Sequence, residues 1–306
     1  MSQMTSKMNK SNLSSPYTSQ FQLLGHNGPI YALSQDDNLL YSASSDKLVV
    51  RWNLHDGTQD QFVVKTERPA FSILKSQRNA ELIIGQDDGS IHVIDVLLKK
   101  ELRHLKAHVG AVFSIAENLV NGQRYTADAT GNLFIWDAAW NLLLKLPLDC
   151  GKIRDIKVSP AGNLLYLACG DGHIQMLDCE FFNQINEWTA HQEACTALCL
   201  LPDSTILSGG KDAYIRHWDA NGVLKKSFPA HKGTIYGLAL LDSMQYVSVS
   251  RDKSIKIWEL SSHQIVQKIE MSGRTHLHSI NAVVSIGAQF ITAGDDKRIH
   301  VWSKQP

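Results

Sequence analysis

Residues 231–258 read HKGTIYGLALLDSMQYVSVSRDKSIKIW. Three short apolar runs, YGLALL, QYVSVS and SIKIW, are parted by turns at Asp242-Ser243 and Arg251-Asp252-Lys253. Short β-branched and aromatic runs punctuated by turn-formers read as antiparallel strands, and no helical period competes with them. The closing Trp258 belongs to a series: Trp52, Ile94, Trp136, Leu177, Trp218, Trp258 and Trp302, at intervals of 42, 42, 41, 41, 40 and 44 residues. A second anchor pair precedes each by 22 to 24 residues: Ile30 and Leu33, Phe71 and Leu74, Val112 and Ile115, Ile153 and Ile156, Cys195 and Leu198, Ile235 and Leu238, Ile280 and Val283. A fourth strand follows each closing position, as in LKKSF after Trp218. A beat near forty residues marks repeated four-stranded units. One such unit has two faces to bury and cannot do so alone, so the units must stack, and stacking in a circle closes them. The expected fold is all-β, a seven-bladed propeller of four-stranded antiparallel blades.

The chain ends fit a ring. Residues 281–303 supply three strands, and residues 17–26, YTSQFQLLGH, supply one. Pairing that strand into the last blade leaves no open edge. The expected organisation is a polar, disordered tail over residues 1–16, one propeller over 17–303, and a short end at 304–306.

Bulk properties narrow the function. Lys plus Arg and Asp plus Glu both number 30, so no basic excess drives binding to nucleic acid or an anionic membrane. The five cysteines are odd in number and form no CxxC pair, which reads as buried thiols in a reducing compartment. No apolar run reaches the roughly 18 residues of a membrane span. The first twenty residues lack the apolar core of a secretory signal. A cytoplasmic location is expected, or a nuclear one in a eukaryote.

Gly25-His26, Ala107-His108, Ala190-His191 and Ala230-His231 place a His 26 to 28 residues before a Trp, and Trp136-Asp137 and Trp218-Asp219 are Trp-Asp endings. Over residues 21–303 the chain resembles the WD-repeat β-propeller family, with the architecture of the heterotrimeric G-protein beta subunit. The resemblance implies a buried hydrogen-bonded chain of His, Ser or Thr, Asp and Trp within a blade. Unit one offers His26, Ser42, Asp46 and Trp52; unit five His191, Ser208, Asp212 and Trp218; unit six His231, Ser248, Asp252 and Trp258; unit seven His276, Thr292, Asp296 and Trp302. Unit three has His108, Thr126 and Trp136, but Thr130 stands where Asp is expected, and Asp128 lies two positions early and is not assigned the role. Units two and four have Ile84 with Ile94 and Leu167 with Leu177, and neither has a His at the position ahead of the first strand. Joint loss avoids stranded buried polar groups, which cost about 1–3 kcal/mol each. Packing should therefore hold those two blades.

A His, a Ser and an Asp invite a hydrolase reading. Here they recur in four units, and the Ser lies in mid-strand rather than on an exposed nucleophile turn. They are read as structural, with no catalytic residue. The remaining histidines form no HxH or HExxH pair among themselves; His278 stands two residues from His276 in a loop, a spacing that is weighed as a metal site and set aside, so neither metal nor cofactor is expected. Gly209-Gly210-Lys211 and Gly170-Asp171-Gly172 read as tight turns, and neither opens a helix as a phosphate loop must.

The resemblance further implies partner binding around the channel entrance, through the residues flanking each first-strand anchor and the residue before each turn Asp. These are Pro29, Tyr31 and Ser45; Ala70, Ser72 and Asp87; Ala111, Phe113 and Ala129; Lys152, Arg154 and Gly170; Ala194, Thr196 and Lys211; Thr234, Tyr236 and Arg251; Ser279, Asn281 and Asp295. Lys152, Arg154, Lys211 and Arg251 form a basic arc, Asp87 and Asp295 lie opposite, and Tyr31, Phe113 and Tyr236 add aromatic area of the kind enriched at interfaces. The expected function is a non-catalytic scaffold or adaptor, a subunit that binds an acidic or aromatic-containing protein segment, with no direct membrane partner. Two alternatives stand beside it. One is an RNA- or RNP-associated subunit using the basic arc. The other is a propeller enzyme at the channel mouth, where only Asp87 and Asp295 supply carboxylates.

Overall fold

The computed structural model describes residues 16–271 and 275–305. The tail expected over residues 1–16 falls outside them apart from Pro16. Blade one is β2 (Ile30–Asp36), β3 (Leu39–Ser44), β4 (Leu48–Asn53) and β5 (Thr58–Lys65), preceded in the chain by β1 (Tyr17–Leu24). Blade two is β6 (Ala70–Lys75), β7 (Glu81–Gln86), β8 (Ser90–Asp95) and β9 (Lys100–Lys106); blade three is β10 (Val112–Glu117), β11 (Arg124–Asp128), β12 (Asn132–Trp136) and β13 (Leu142–Pro147). Blade four is β14 (Asp155–Val158), β15 (Leu164–Ala168), β16 (His173–Asp178) and β17 (Gln184–Thr189); blade five is β18 (Cys195–Leu200), β19 (Ile206–Gly210), β20 (Tyr214–Trp218) and β21 (Leu224–Pro229). Blade six is β22 (Ile235–Leu240), β23 (Gln245–Ser250), β24 (Ile255–Glu259) and β25 (Ile265–Ile269); blade seven adds β26 (Ile280–Ile286), β27 (Gln289–Gly294) and β28 (Arg298–Lys304). Each sheet is an antiparallel meander, and the seventh is completed in the order β1, β28, β27, β26. No helix among the described residues is long and apolar enough to cross a membrane.

Closure is built as the chain ends suggest. Tyr17 pairs with Lys304 and Leu24 with Arg298, so β28 runs one residue past the expected boundary at 303. Leu23, 1% exposed, packs with Ile299 and Val301 of blade seven and with Ile30 and Trp52 of blade one. The apolar core as a whole lies between neighbouring blades rather than inside any one of them, and Tyr41, Ala43, Ile73 and Ile84 fill the next seam.

The inner strands are also tied across seams. The Lys75 amide donates to Ser34 Oγ at 2.8 Å, the Ile156 amide to Ser114 Oγ at 3.0 Å and the Leu198 amide to Asp155 Oδ2 at 2.9 Å. Gly209 lies inside β19, not in a turn as its Gly-Gly context suggests. A Cβ there would sit 2.6 Å from Ile235 Cγ2, so the glycine lets blade six approach.

Candidate functional site

The channel mouth is built from one repeated irregularity. The first strands of six blades break register just after their first paired residue: between Ile30 and Ala32, Ala70 and Ser72, Val112 and Ser114, Cys195 and Ala197, Ile235 and Gly237, and Ile280 and Ala282. A bulge leaves one residue unpaired and re-aims its side chain. The skipped residues are Tyr31, Phe71, Phe113, Thr196, Tyr236 and Asn281. In blade four Arg154, whose amide donates to Ala168 O at 2.9 Å just before β14, takes the same place. All seven line one cavity of about 640 Å³.

This register corrects the reading of unit two. Ala70, not Phe71, pairs as Ile30 and Val112 do, opposite Gln86. The same offset appears where the Asp87 amide donates to Pro69 O, as Ser45 does to Pro29 O. The flanking residues in blade two are therefore Pro69 and Phe71, not Ala70 and Ser72. Ala70 is fully buried, and Ser72 donates to Val112 O at 2.7 Å, tying blade two to blade three.

The corrected position completes an arc. Tyr31 and Phe71 stack with centroids 4.6 Å apart, Phe71 meets Phe113 edge-on at 5.5 Å, and the Arg154 guanidinium lies 4.3 Å over the Phe113 ring. Burial lowers the Arg154 pKa, and Tyr236 and Asp155 partly offset it. The Tyr31 hydroxyl is pushed up by burial and by the nearby Asp295 carboxylate.

The charges expected at the rim divide into two groups. Asp87 is held bidentately by Arg68 at 3.0 and 3.1 Å, Lys211 pairs with Glu193 at 2.5 Å, and Asp295 accepts from Asn281 Nδ2 at 2.7 Å. Arg154 and Arg251 line the cavity, and among the described residues neither has a carboxylate within 4.0 Å. Lys152 is exposed and, with Lys211 and Asp87, lies outside the lining.

Buried polar chains stand behind the loops. In blade one Trp52 Nε1 donates to Ser42 Oγ at 2.8 Å, Ser42 Oγ lies 2.7 Å from His26 Nε2, and His26 Nδ1 lies 2.9 Å from Asp46. Blade five repeats this through Ser208 at 2.9, 2.9 and 2.8 Å, blade six through Ser248 at 2.8, 2.7 and 3.0 Å, and blade seven through Thr292 at 2.9, 2.8 and 3.0 Å. A neutral imidazole fits this chain: Nδ1–H donates to the carboxylate and Nε2 accepts from the hydroxyl, which accepts from the indole. Burial lowers the His26, His191 and His231 pKa values. Burial alone would raise Asp46, but the bonds from His26 and the Asn27 amide hold it below its ordinary value. These chains pin the loop before each first strand to the turn after the second, on the rim that carries the ring.

Blade three has the full chain. His108 lies 2.7 Å from Thr126 Oγ1, Trp136 donates to it at 2.9 Å, and Asp128 Oδ2 lies 2.7 Å from His108 Nδ1. Asp128 reaches the same nitrogen from the end of β11, and its other oxygen accepts from the Thr130 and Asn132 amides. Blade two is not held by packing alone: Gln86 takes His92 Nε2 at 3.1 Å and donates to Arg68 O at 3.1 Å.

Comparison with known proteins agrees with this geometry. Residues 17–53, 182–219 and 222–259 match the family model described as WD domain, G-beta repeat. The chain is 23% identical over 256 residues to a kinesin-like protein of Mus musculus, KIF21B, covering 80% of this chain and 14% of that protein. It is 28% identical to the apoptotic protease-activating factor 1 of Rattus norvegicus over 49% of this chain and 12% of that protein. It is 25% identical to the ribosome biogenesis protein YTM1 of Eremothecium gossypii over 32% of this chain and 24% of that protein. The chain thus spans only a small part of the relatives it matches.

Proposed function

We propose that this chain, a seven-bladed propeller built on WD40 repeats, is a non-catalytic platform that holds an extended segment of a partner protein across its channel mouth. Such propellers typically serve as protein-interaction scaffolds. The observation that carries the reading is the ring of seven side chains, six presented by bulges and Arg154 by the equivalent place in blade four, with an aromatic arc on one side and, on the other, Arg154 and Arg251, which among the described residues have no carboxylate within 4.0 Å. A guanidinium stacked on a ring keeps its N–H edge open for bidentate carboxylate binding. The fitting segment carries a carboxylate for Arg154 and Arg251 and an apolar or aromatic side chain for Phe71. Lys211 is spent on Glu193, which shortens the basic arc on which a nucleic-acid reading would rest.

The test is affinity purification from the native host with the intact chain, with Arg154→Glu/Arg251→Glu and with Phe71→Ala, each checked for an unchanged melting temperature. The reading expects the same proteins to be lost with both variants, each costing roughly 2 kcal/mol or more in binding. Full recovery with both would remove the channel mouth as the docking face. Retained RNA with a steep salt dependence would favour the ribonucleoprotein alternative instead.

A further inference from the structure

The outer half of blade two brings together three metal-ligating side chains that lie apart in the sequence. His92 of β8 and His104 of β9 are directly opposite in the ladder, with rings stacked at 4.2 Å. Glu101, on the same outer strand, places Oε1 2.6 Å from His92 Nδ1. One ligand atom from each of His92, Glu101 and His104 falls within 4.8 Å of the others.

The hydrogen bonding of His92 fixes which of its ring nitrogens faces the cluster. Its Nε2 faces Gln86 Oε1 at 3.1 Å, and Gln86 is fixed in that orientation because its Nε2 donates to Arg68 O. His92 Nε2 therefore carries the proton. Its Nδ1 then presents a lone pair to a carboxylate oxygen that can only accept. Two acceptors on one imidazole, itself only 9% exposed, require a cation at Nδ1: a second proton or a metal ion. A second proton would make an imidazolium face to face with another imidazole.

We infer that His92 Nδ1, Glu101 and His104 bind a divalent transition metal of the zinc class, with Gln86 orienting His92 from behind. Zinc–ligand bonds of about 2.0–2.2 Å put tetrahedral ligand atoms roughly 3.3 Å apart, so Glu101 Oε1 must ease back from its 2.6 Å contact with His92 Nδ1 while the set, now within 4.8 Å, closes around the ion. Glu101 and His104 are exposed and free to do so, and water supplies the fourth position. Binding releases any proton held at Nδ1 to solvent. The spacing rule that excludes HxH and HExxH pairs looks along one element, whereas this set forms across a ladder.

The test titrates the metal-stripped chain with Zn²⁺ against a chromogenic chelator at near-neutral pH, and with Co²⁺ by absorption. The expected result is one equivalent bound with an affinity on the order of 1 μM or tighter. His104→Ala and Glu101→Gln should each weaken it at least about 100-fold, and Gln86→Ala about 10-fold. Both ligand substitutions fall on exposed side chains, and an unchanged melting temperature in metal-free buffer confirms the fold. The cobalt spectrum should lack thiolate charge transfer, which separates this site from the cysteines. Zinc uptake equal in His104→Ala, a thiolate band, or no saturable binding would each overturn the site.

Discussion

At the scale of single residues, the polar chains decide stability because each member is buried and each depends on the next. Ser248→Ala removes one oxygen and strands both His231 Nε2 and Trp258 Nε1. The expected loss is about 2–4 kcal/mol, from two unpaired buried groups, read by urea unfolding at pH 7. Acid sensitivity follows from the histidines. His300 is fully buried, and burial with the neighbouring His276 pulls its pKa down to about 3. His263 is drawn down to about 4 by burial and by His217. Both stay neutral when folded but take a proton near pH 6.5 when unfolded, so their contribution is full above about 6.5 and drains as pH falls toward 3–4. Each such group contributes a slope of about 1.4 kcal/mol per pH unit in that window, and His300→Leu should remove one share of it in unfolding curves between pH 7 and 5. Four of the five polar chains were fully legible in the sequence because their members keep fixed offsets. The fifth was only partly so. A carboxylate anchors His108 from Asp128, and offset counting cannot see that a side chain two residues away reaches the same nitrogen.

At the scale of elements, β1 is the piece whose removal should matter most. Leu23→Ala empties a site shared by blades seven and one, and about 2–5 kcal/mol of destabilisation is expected in denaturant unfolding. The strand count, the blade boundaries and this closure could be read from periodicity. The bulges could not, since a bulge is a mismatch between two strands and leaves no mark on either alone. That is why apolar Phe71, one step from the true anchor Ala70, passed for the anchor while it belongs to the mouth. The pairing of His92 with His104 was hidden for the same reason.

At the scale of the whole molecule, the five cysteines report on the ring. Cys150, Cys169 and Cys195 are fully buried, Cys179 and Cys199 nearly so, and none is in a disulfide. Burial pushes the Cys199 thiol up to about 11, and the Cys150 thiol beside Cys169, together with burial, raises Cys169. A thiol-specific reagent should therefore label none of the five in the native protein at pH 8. Labelling should begin only with global opening, at a rate that follows denaturant concentration. Rapid labelling of any one in buffer would show that a seam opens by itself.

The last sheet is stitched from the two ends of the described chain, with Tyr17 paired to Lys304 at a separation of 304 − 17 = 287 positions. During synthesis at about 5–20 residues per second, the first-made strand must wait roughly 15–60 s for its mate to leave the ribosome. Throughout that interval Leu23 lacks its blade-seven neighbours Ile299 and Val301, and the row of amides along β1 has no partner strand. Nascent copies on crowded polysomes are then open to capturing one another's early strand, and a chaperone that shields this segment would raise the yield of closed monomers.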